Sequence, residues 1–195
     1  MKKKRIEELL DLAELNDGYV SVDEAKKNGI EQTYLCLGEE MGIFQKATKG
    51  LYIKKGYLVD PYFILHFRYR KAVFALRSAL YLHGLASMPE KIEVALPRNY
   101  MTSGIEGALC IRKSKEKYLL GLSLAVSPHG PLVPVYDKEM TVLDVILYRD
   151  RFEDQEYKDI LDDLLDKGLD KEKLFHYAEE LKVLTLAEAV LKGRI

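Results

Sequence analysis

Cysteine is scarce in this chain of 195 residues: Cys36 and Cys110 stand far apart, with no Cys-x-x-Cys and no Cys/His spacing. That excludes a disulfide framework and a zinc site of ordinary spacing, and both thiols are expected to be small buried hydrophobes. Long hydrophobic runs are also missing, since no window approaches the ~20 apolar residues of a membrane span. Lys2-Lys3-Lys4-Arg5 is followed by the charged, amphipathic Ile6-Glu7-Glu8-Leu9-Leu10 and not by the apolar stretch of a secretory signal. A cytoplasmic location is therefore expected, without a membrane partner.

Catalytic signatures are equally sparse. His66, His83, His129 and His176 share no metal-ligand spacing, and His83 precedes Gly84, where a histidine can simply interact with a helix C-terminus. Gly121-Leu122-Ser123-Leu124-Ala125 departs from the GxSxG nucleophile pattern, and no glycine-rich phosphate loop follows a strand. Asp162-Asp163 and Glu179-Glu180 read as solvated helix faces. Neither catalysis nor a cofactor is expected.

What the chain does have is 48% apolar residues, enough for a buried core, and a charge partition hidden beneath a net charge of -1. Residues 61–136 are strongly basic and residues 137–195 strongly acidic, while residues 1–60 are close to neutral. A positive middle and an acidic end suggest a polyanion-facing surface with a solvated helical region elsewhere.

Periodicity predicts a helix over residues 4–15 with Ile6, Leu9, Leu10 and Ala13 on one face, stopped by Asn16-Asp17-Gly18. Tyr19-Val20 reads as a short extended piece. Ser21 can then cap a second helix whose first turn holds Asp23 and Glu24, ending at Asn28-Gly29. A third helix follows near Glu31 to Met41, stopped by Gly42. Ile43 to Lys46 and Leu51 to Lys54 flank Ala47-Thr48-Lys49-Gly50 as a hairpin. This order is that of a winged helix-turn-helix, which offers one helix to the DNA major groove and a basic hairpin to phosphates.

Asp60-Pro61 marks a predicted boundary, because the residue before proline is pushed out of helical space. Beyond it we expect a helix over about residues 69–83, then strands over 92–96, 108–112, 121–126 and 132–136. From Thr141, a plausible cap with Asp144 three residues on, the pattern turns helical to the end. The expected fold class is α/β (α+β): residues 1–60 a winged helix-turn-helix domain, and residues 61–195 a mixed sheet with a helical C-terminal part.

At the start of the third helix Gln32 can pair with adenine, Thr33 can meet a base or a phosphate, and Tyr34 can reach a phosphate. Glu31 either accepts from cytosine or simply favours the helix N-terminus. Lys46, Lys49, Lys54 and Lys55 give residues 43–57 four positive charges and no acidic one, with Thr48 in the same turn. These lysines are candidates for phosphate binding, although lysines also blunt the exposed edge of any small hairpin. Arg68 and Arg70 follow as further DNA-binding candidates, with Lys71, Arg77, Arg98, Arg112, Lys113, Lys115 and Lys117 extending the basic segment.

Four patches carry a family likeness. They are Gly29-Ile30 with Lys49-Gly50-Leu51-Tyr52; Ser78-Ala79-Leu80-Tyr81-Leu82-His83-Gly84-Leu85; Ile92-Glu93-Val94-Ala95-Leu96-Pro97 with Tyr100; and Val135-Tyr136-Asp137-Lys138-Glu139-Met140-Thr141-Val142-Leu143-Asp144. With these the chain resembles the AbiE-type abortive-infection antitoxins, the transcriptional-regulator half of type IV toxin–antitoxin pairs. The Ala-Leu-Tyr-Leu-His-Gly-Leu run is the most specific. Met140 is a departure, standing where the family commonly has arginine. The resemblance implies a winged N-terminal domain that binds inverted repeats in double-stranded promoter DNA and represses its own operon. It further implies a C-terminal domain that counters a nucleotidyltransferase toxin without a stable complex. The rival reading is a protein-interaction module, in which the winged fold is a scaffold and the acidic C-terminal helices bind a partner.

Overall fold

Ile6, Leu9 and Ala13 recur at helical spacing and are buried along one face of α1 (Lys2–Glu14) in the computed structural model, which describes residues 2–101, 105–166 and 168–192. β1 (Tyr19–Ser21) leads directly into α2 (Val22–Lys27), whose first turn is capped by Ser21: its Oγ accepts from the Glu24 amide at 3.1 Å. Asp23 and Glu24 at its start and Lys26 and Lys27 at its end match the helix dipole. After the turn at Asn28-Gly29, α3 runs Gln32–Glu40, and a hairpin follows with β2 (Phe44–Thr48) and β3 (Leu51–Lys54). The three strands form an antiparallel sheet in the order β1-β3-β2.

Alternation along β1 and β3 decides which helix covers which face. Val20 and Tyr52 join Phe44 on the face that packs with Ile6, Leu9, Ile30 and Leu35 of the first three helices and their turn. The approach is close: a β-carbon on Gly38 of α3 would sit 2.7 Å from the Phe44 ring. Tyr19, Leu51 and Ile53 point the other way, against Phe63, Ile64 and Phe67 of α4 (Pro61–Arg68). Tyr19 and Phe63 have ring centroids 4.6 Å apart.

The chain therefore divides into two compact units differently from a cut at Asp60-Pro61: Met1–Phe67 with Ser127–Pro131, and Arg68–Val126 with Leu132–Ile195. Asp60-Pro61 starts a helix instead of ending a domain. The fully buried Asp60 carboxylate accepts from the Tyr62 and Phe63 amides through Oδ1, at 2.8 and 3.1 Å, and proline suits the first helical position.

In the second unit, β4 (Val73–Phe74) precedes α5 (Leu76–Leu82), β5 (Ile92–Pro97), β6 (Ala108–Lys113) and α6 (Lys115–Leu119). β7 (Leu122–Val126) and β8 (Leu132–Tyr136) complete a mixed five-stranded sheet in the order β6-β5-β4-β8-β7. The expected helix over 69–83 is thus broken at its centre. Val73 and Phe74 are fully engaged as the middle strand, antiparallel to β5 and parallel to β8, and tertiary pairing overrides their local pattern.

α7 (Lys138–Leu147) starts at Asp137, whose carboxylate accepts from the Met140 amide at 2.9 Å; Thr141 and Asp144, read from the sequence as a cap, lie buried inside the helix. Every residue from Glu139 to Ile146 is buried, so α7 is enclosed on all sides, as its mostly apolar surroundings require. Met140 is core here, at 0% exposure. A 3-10 turn at Arg149–Arg151, then α8 (Asp154–Asp166), α9 (Lys171–Glu180) and α10 (Leu184–Leu191), close the unit. The whole is a mixed α+β fold with two sheets, and among the described residues no helix is long and apolar enough to cross a membrane.

Candidate nucleic-acid interface

α3 presents its N-terminal half to solvent. Gln32, Thr33 and Cys36 are exposed on the side opposite Leu35 and Gly38, which are buried against the sheet. Cys36, expected to be buried, falls one turn after Gln32 on the same side of the helix, and that phase takes it to the surface. Its thiol lies 3.8 Å from the Tyr52 hydroxyl. Cys110 is half-buried.

Glu31 occupies the N-cap position but makes no cap bond; it accepts from the Thr33 hydroxyl at 3.4 Å. Tyr34 is half-buried and packs against the core of the unit, which leaves its ring a structural part as well as a polar edge. The C-terminal half of α3 exposes Glu39 and Glu40, so a polyanion could meet this helix favourably only at its beginning.

An open concavity of about 580 Å³ runs along α3, lined by Gln32, Thr33, Tyr34, Cys36, Leu37 and Glu40 together with Lys2 of α1. Lys2, Lys3 and Lys4 are all exposed at the start of α1. The neighbourhood of Lys2 to α3 is a tertiary fact. The basic run was visible in the sequence, but nothing local linked it to a helix thirty positions on.

In the hairpin, Lys46 and Lys49 are exposed, and no ion pair to either exists among the described residues. Gly50 at φ 80° permits the tight reversal after Lys49, a conformation that few side chains adopt. Thr48 is half-buried opposite Leu51, beside a register shift between Lys46 and Thr48 that displaces the tip. Lys55 is exposed too.

Lys54 is different. Its ammonium pairs with Glu14 at the end of α1, and the Tyr57 hydroxyl donates to the other carboxylate oxygen at 2.6 Å. The Lys54 and Tyr57 hydrogen bonds hold the Glu14 carboxyl below its ordinary range. A folded-state carboxyl so depressed keeps its partner through neutral pH and loses it only as pH falls through that lowered value. Lys54 is thus engaged within the fold, unlike Lys46 and Lys49.

Arg68 and Arg70 are exposed at the opening of the second unit, and the Arg68 guanidinium lies 5.5 Å from the Tyr69 ring centroid. Of the other cations in the basic segment, several serve the fold. Arg77 forks onto Glu156, with Nε and Nη2 each 3.0 Å from a carboxylate oxygen. Arg112 donates to the Tyr100 carbonyl at 2.8 Å, and Lys117 to the Leu181 carbonyl at 3.1 Å. Lys113 is buried, 2.6 and 2.8 Å from the two oxygens of Asp144 and 4.2 Å above the Tyr136 ring. Burial pushes the Asp144 carboxyl up and the Lys113 ammonium down, and each charge restrains the other's shift. A count of charge along the chain cannot tell which cations the fold itself uses.

His83 caps the C-terminal end of α5 and bonds through Nε2 to the Tyr136 carbonyl at 2.7 Å. No group of three or more His, Cys, Asp or Glu among the described residues is placed to hold a metal ion.

No family model matches the sequence, and no curated protein matches it either. In structure the chain is similar to the RV2827C protein from Mycobacterium tuberculosis, with a TM-score of 0.63 at 15% identity, over 99% of this chain and 77% of that one. At that identity the likeness speaks to the fold alone.

Proposed function

We propose that the N-terminal unit is a winged helix-turn-helix and that through it the chain binds double-stranded promoter DNA bearing repeated sequences, repressing its own operon. One observation carries the reading: Gln32 and Thr33 stand exposed at the start of α3 beside an acid-free hairpin whose Lys46 and Lys49 also face solvent. Gln32 would read a base edge, Thr33 a base or a phosphate, and Lys46 and Lys49 would hold the backbone. Lys2 at the start of α1 lines the same concavity as Gln32 and Thr33, as does Glu40 at the end of α3.

From the likeness of the four sequence patches, we further propose that the second unit is the antitoxin part of a type IV pair and counters a nucleotidyltransferase toxin without holding it. The match of the Ala79 to Leu85 run supports that assignment; His83 within it serves α5 and the sheet.

Mobility shift of the fragment upstream of the gene tests the DNA reading. Retardation that survives unlabelled non-specific competitor supports it, and Gln32→Ala should then relax base preference at one position. No retardation at low salt overturns it. That outcome would favour an interaction module, for which α8 supplies the surface: Asp159, Asp163 and Asp166 are exposed on its acidic face.

A further inference from the structure

Among the cations of the basic segment that are not tied into the fold are Lys71, Arg98 and Lys115, all exposed and without an ion pair among the described residues. They converge on one cleft of about 920 Å³ in the second unit, whose walls include Tyr100 and Tyr118. The carboxylate among its described lining residues, Glu116, is turned to its own helix start: its own backbone amide and the Ser114 hydroxyl hold it below the usual carboxylate range.

The walls are fixed from behind. Arg112 ties down the Tyr100 carbonyl at 2.8 Å, and the Arg98 amide donates to the Lys113 carbonyl at 2.7 Å, continuing the β5–β6 pairing. The Tyr118 hydroxyl donates to the Lys71 carbonyl at 2.8 Å, and the buried Tyr136 hydroxyl to the Tyr118 carbonyl at 3.1 Å. Lys71 Nζ lies 6.0 Å from the Tyr100 ring centroid, so charge and aromatic face are already side by side. The volume suits a small molecule, and the cations close around a single concavity where a polynucleotide would need them spread along a track.

We propose that this cleft binds a mononucleotide, with the tyrosine rings facing the base and ribose and with Arg98, Lys115 and Lys71 facing the phosphates. The site is independent of the DNA reading. It gives the second unit a ligand of its own, able to report nucleotide level to whatever that unit does.

Isothermal titration of the full chain with ATP, adenosine and inorganic triphosphate tests it. ATP is expected to bind saturably at about one per chain, and Arg98→Gln with Lys115→Gln should weaken it by about tenfold or more. Both residues are exposed, so an unchanged thermal midpoint is expected to accompany the loss. Tyr100→Ala should weaken ATP while leaving triphosphate unaffected, and Lys46→Ala with Lys49→Ala should leave ATP binding intact. No saturable ATP heat overturns the proposal. So does equal binding of ATP and triphosphate with no effect of Tyr100→Ala, which would mark a charge-only anion cleft, or loss of ATP binding in the hairpin variant, which would place the anion on the first unit.

Discussion

The backbone amide of His129 donates to the carboxylate of Asp60 at 2.8 Å, joining residues 69 positions apart. The same carboxylate caps α4 through the Tyr62 and Phe63 amides, so one fully buried side chain anchors both the helix over the small sheet and the Ser127–Pro131 loop of the first unit. Asp60→Ala removes an acceptor from three amides. The expected loss is about 2–4 kcal/mol, read as a lowered denaturation midpoint. An unchanged midpoint would mean that water replaces the carboxylate at no cost.

The buried Lys113–Asp144 pair makes a second test, because breaking an enclosed ion pair costs more than deleting it. Lys113→Met leaves Asp144 unpartnered and should destabilise the chain by about 3–5 kcal/mol, whereas Lys113→Met with Asp144→Leu should recover most of that. In the single variant the Asp144 carboxyl, already raised by burial, loses the charge that restrains it. A folded-state carboxyl raised above its unfolded value binds protons that the unfolded chain releases, so its contribution to stability is fully present below pH about 4 and is lost as pH rises through the raised folded value. Chemical denaturation of the variant and the parent chain at several pH values would show the destabilisation growing as pH rises; a difference that stays flat or narrows would refute it.

Lys46 and Lys49 are assigned to phosphates on exposure and on the lack of any acidic neighbour in the hairpin. Replacing both with alanine should weaken binding to every DNA sequence and reduce the slope of log affinity against log salt by about two units. Equal affinity at moderate salt would remove them from the interface.

Glu14 pairs with Lys54 and, on the DNA reading proposed above, would compete with phosphates for it. Glu14→Gln should release the ammonium, tighten DNA binding at low salt and steepen the salt dependence by about one unit. Unchanged or weaker binding would show that Lys54 points away from the duplex and belongs to the fold alone.

The first three helices and the hairpin were legible because their signals are local: the Ser21 cap, the Asn28-Gly29 turn, and glycine at the hairpin reversal. α4 is not legible in the sequence because Asp60-Pro61 is ambiguous; proline both ends one segment and starts the next, and only the apolar cover needed by Tyr19, Leu51 and Ile53 decides between them. The sequence pattern places β4 within a helix because two residues carry no period of their own, and their strand conformation comes from β5 and β8. For the candidate site, residue types along α3 and the hairpin could be named in advance. Which cations are free could not, since Glu14, Asp144 and Glu156 take theirs from far along the chain.

Cys36 offers the most direct test of whether the exposed side of α3 enters a duplex, since it lies one turn beyond Gln32 on the helix surface. In a Cys110→Ser background, alkylation of Cys36 by iodoacetamide should slow by about tenfold or more when the upstream fragment is saturating, and recover at high salt. An alkylation rate unchanged by bound DNA would contradict the assignment of α3 as the reading helix.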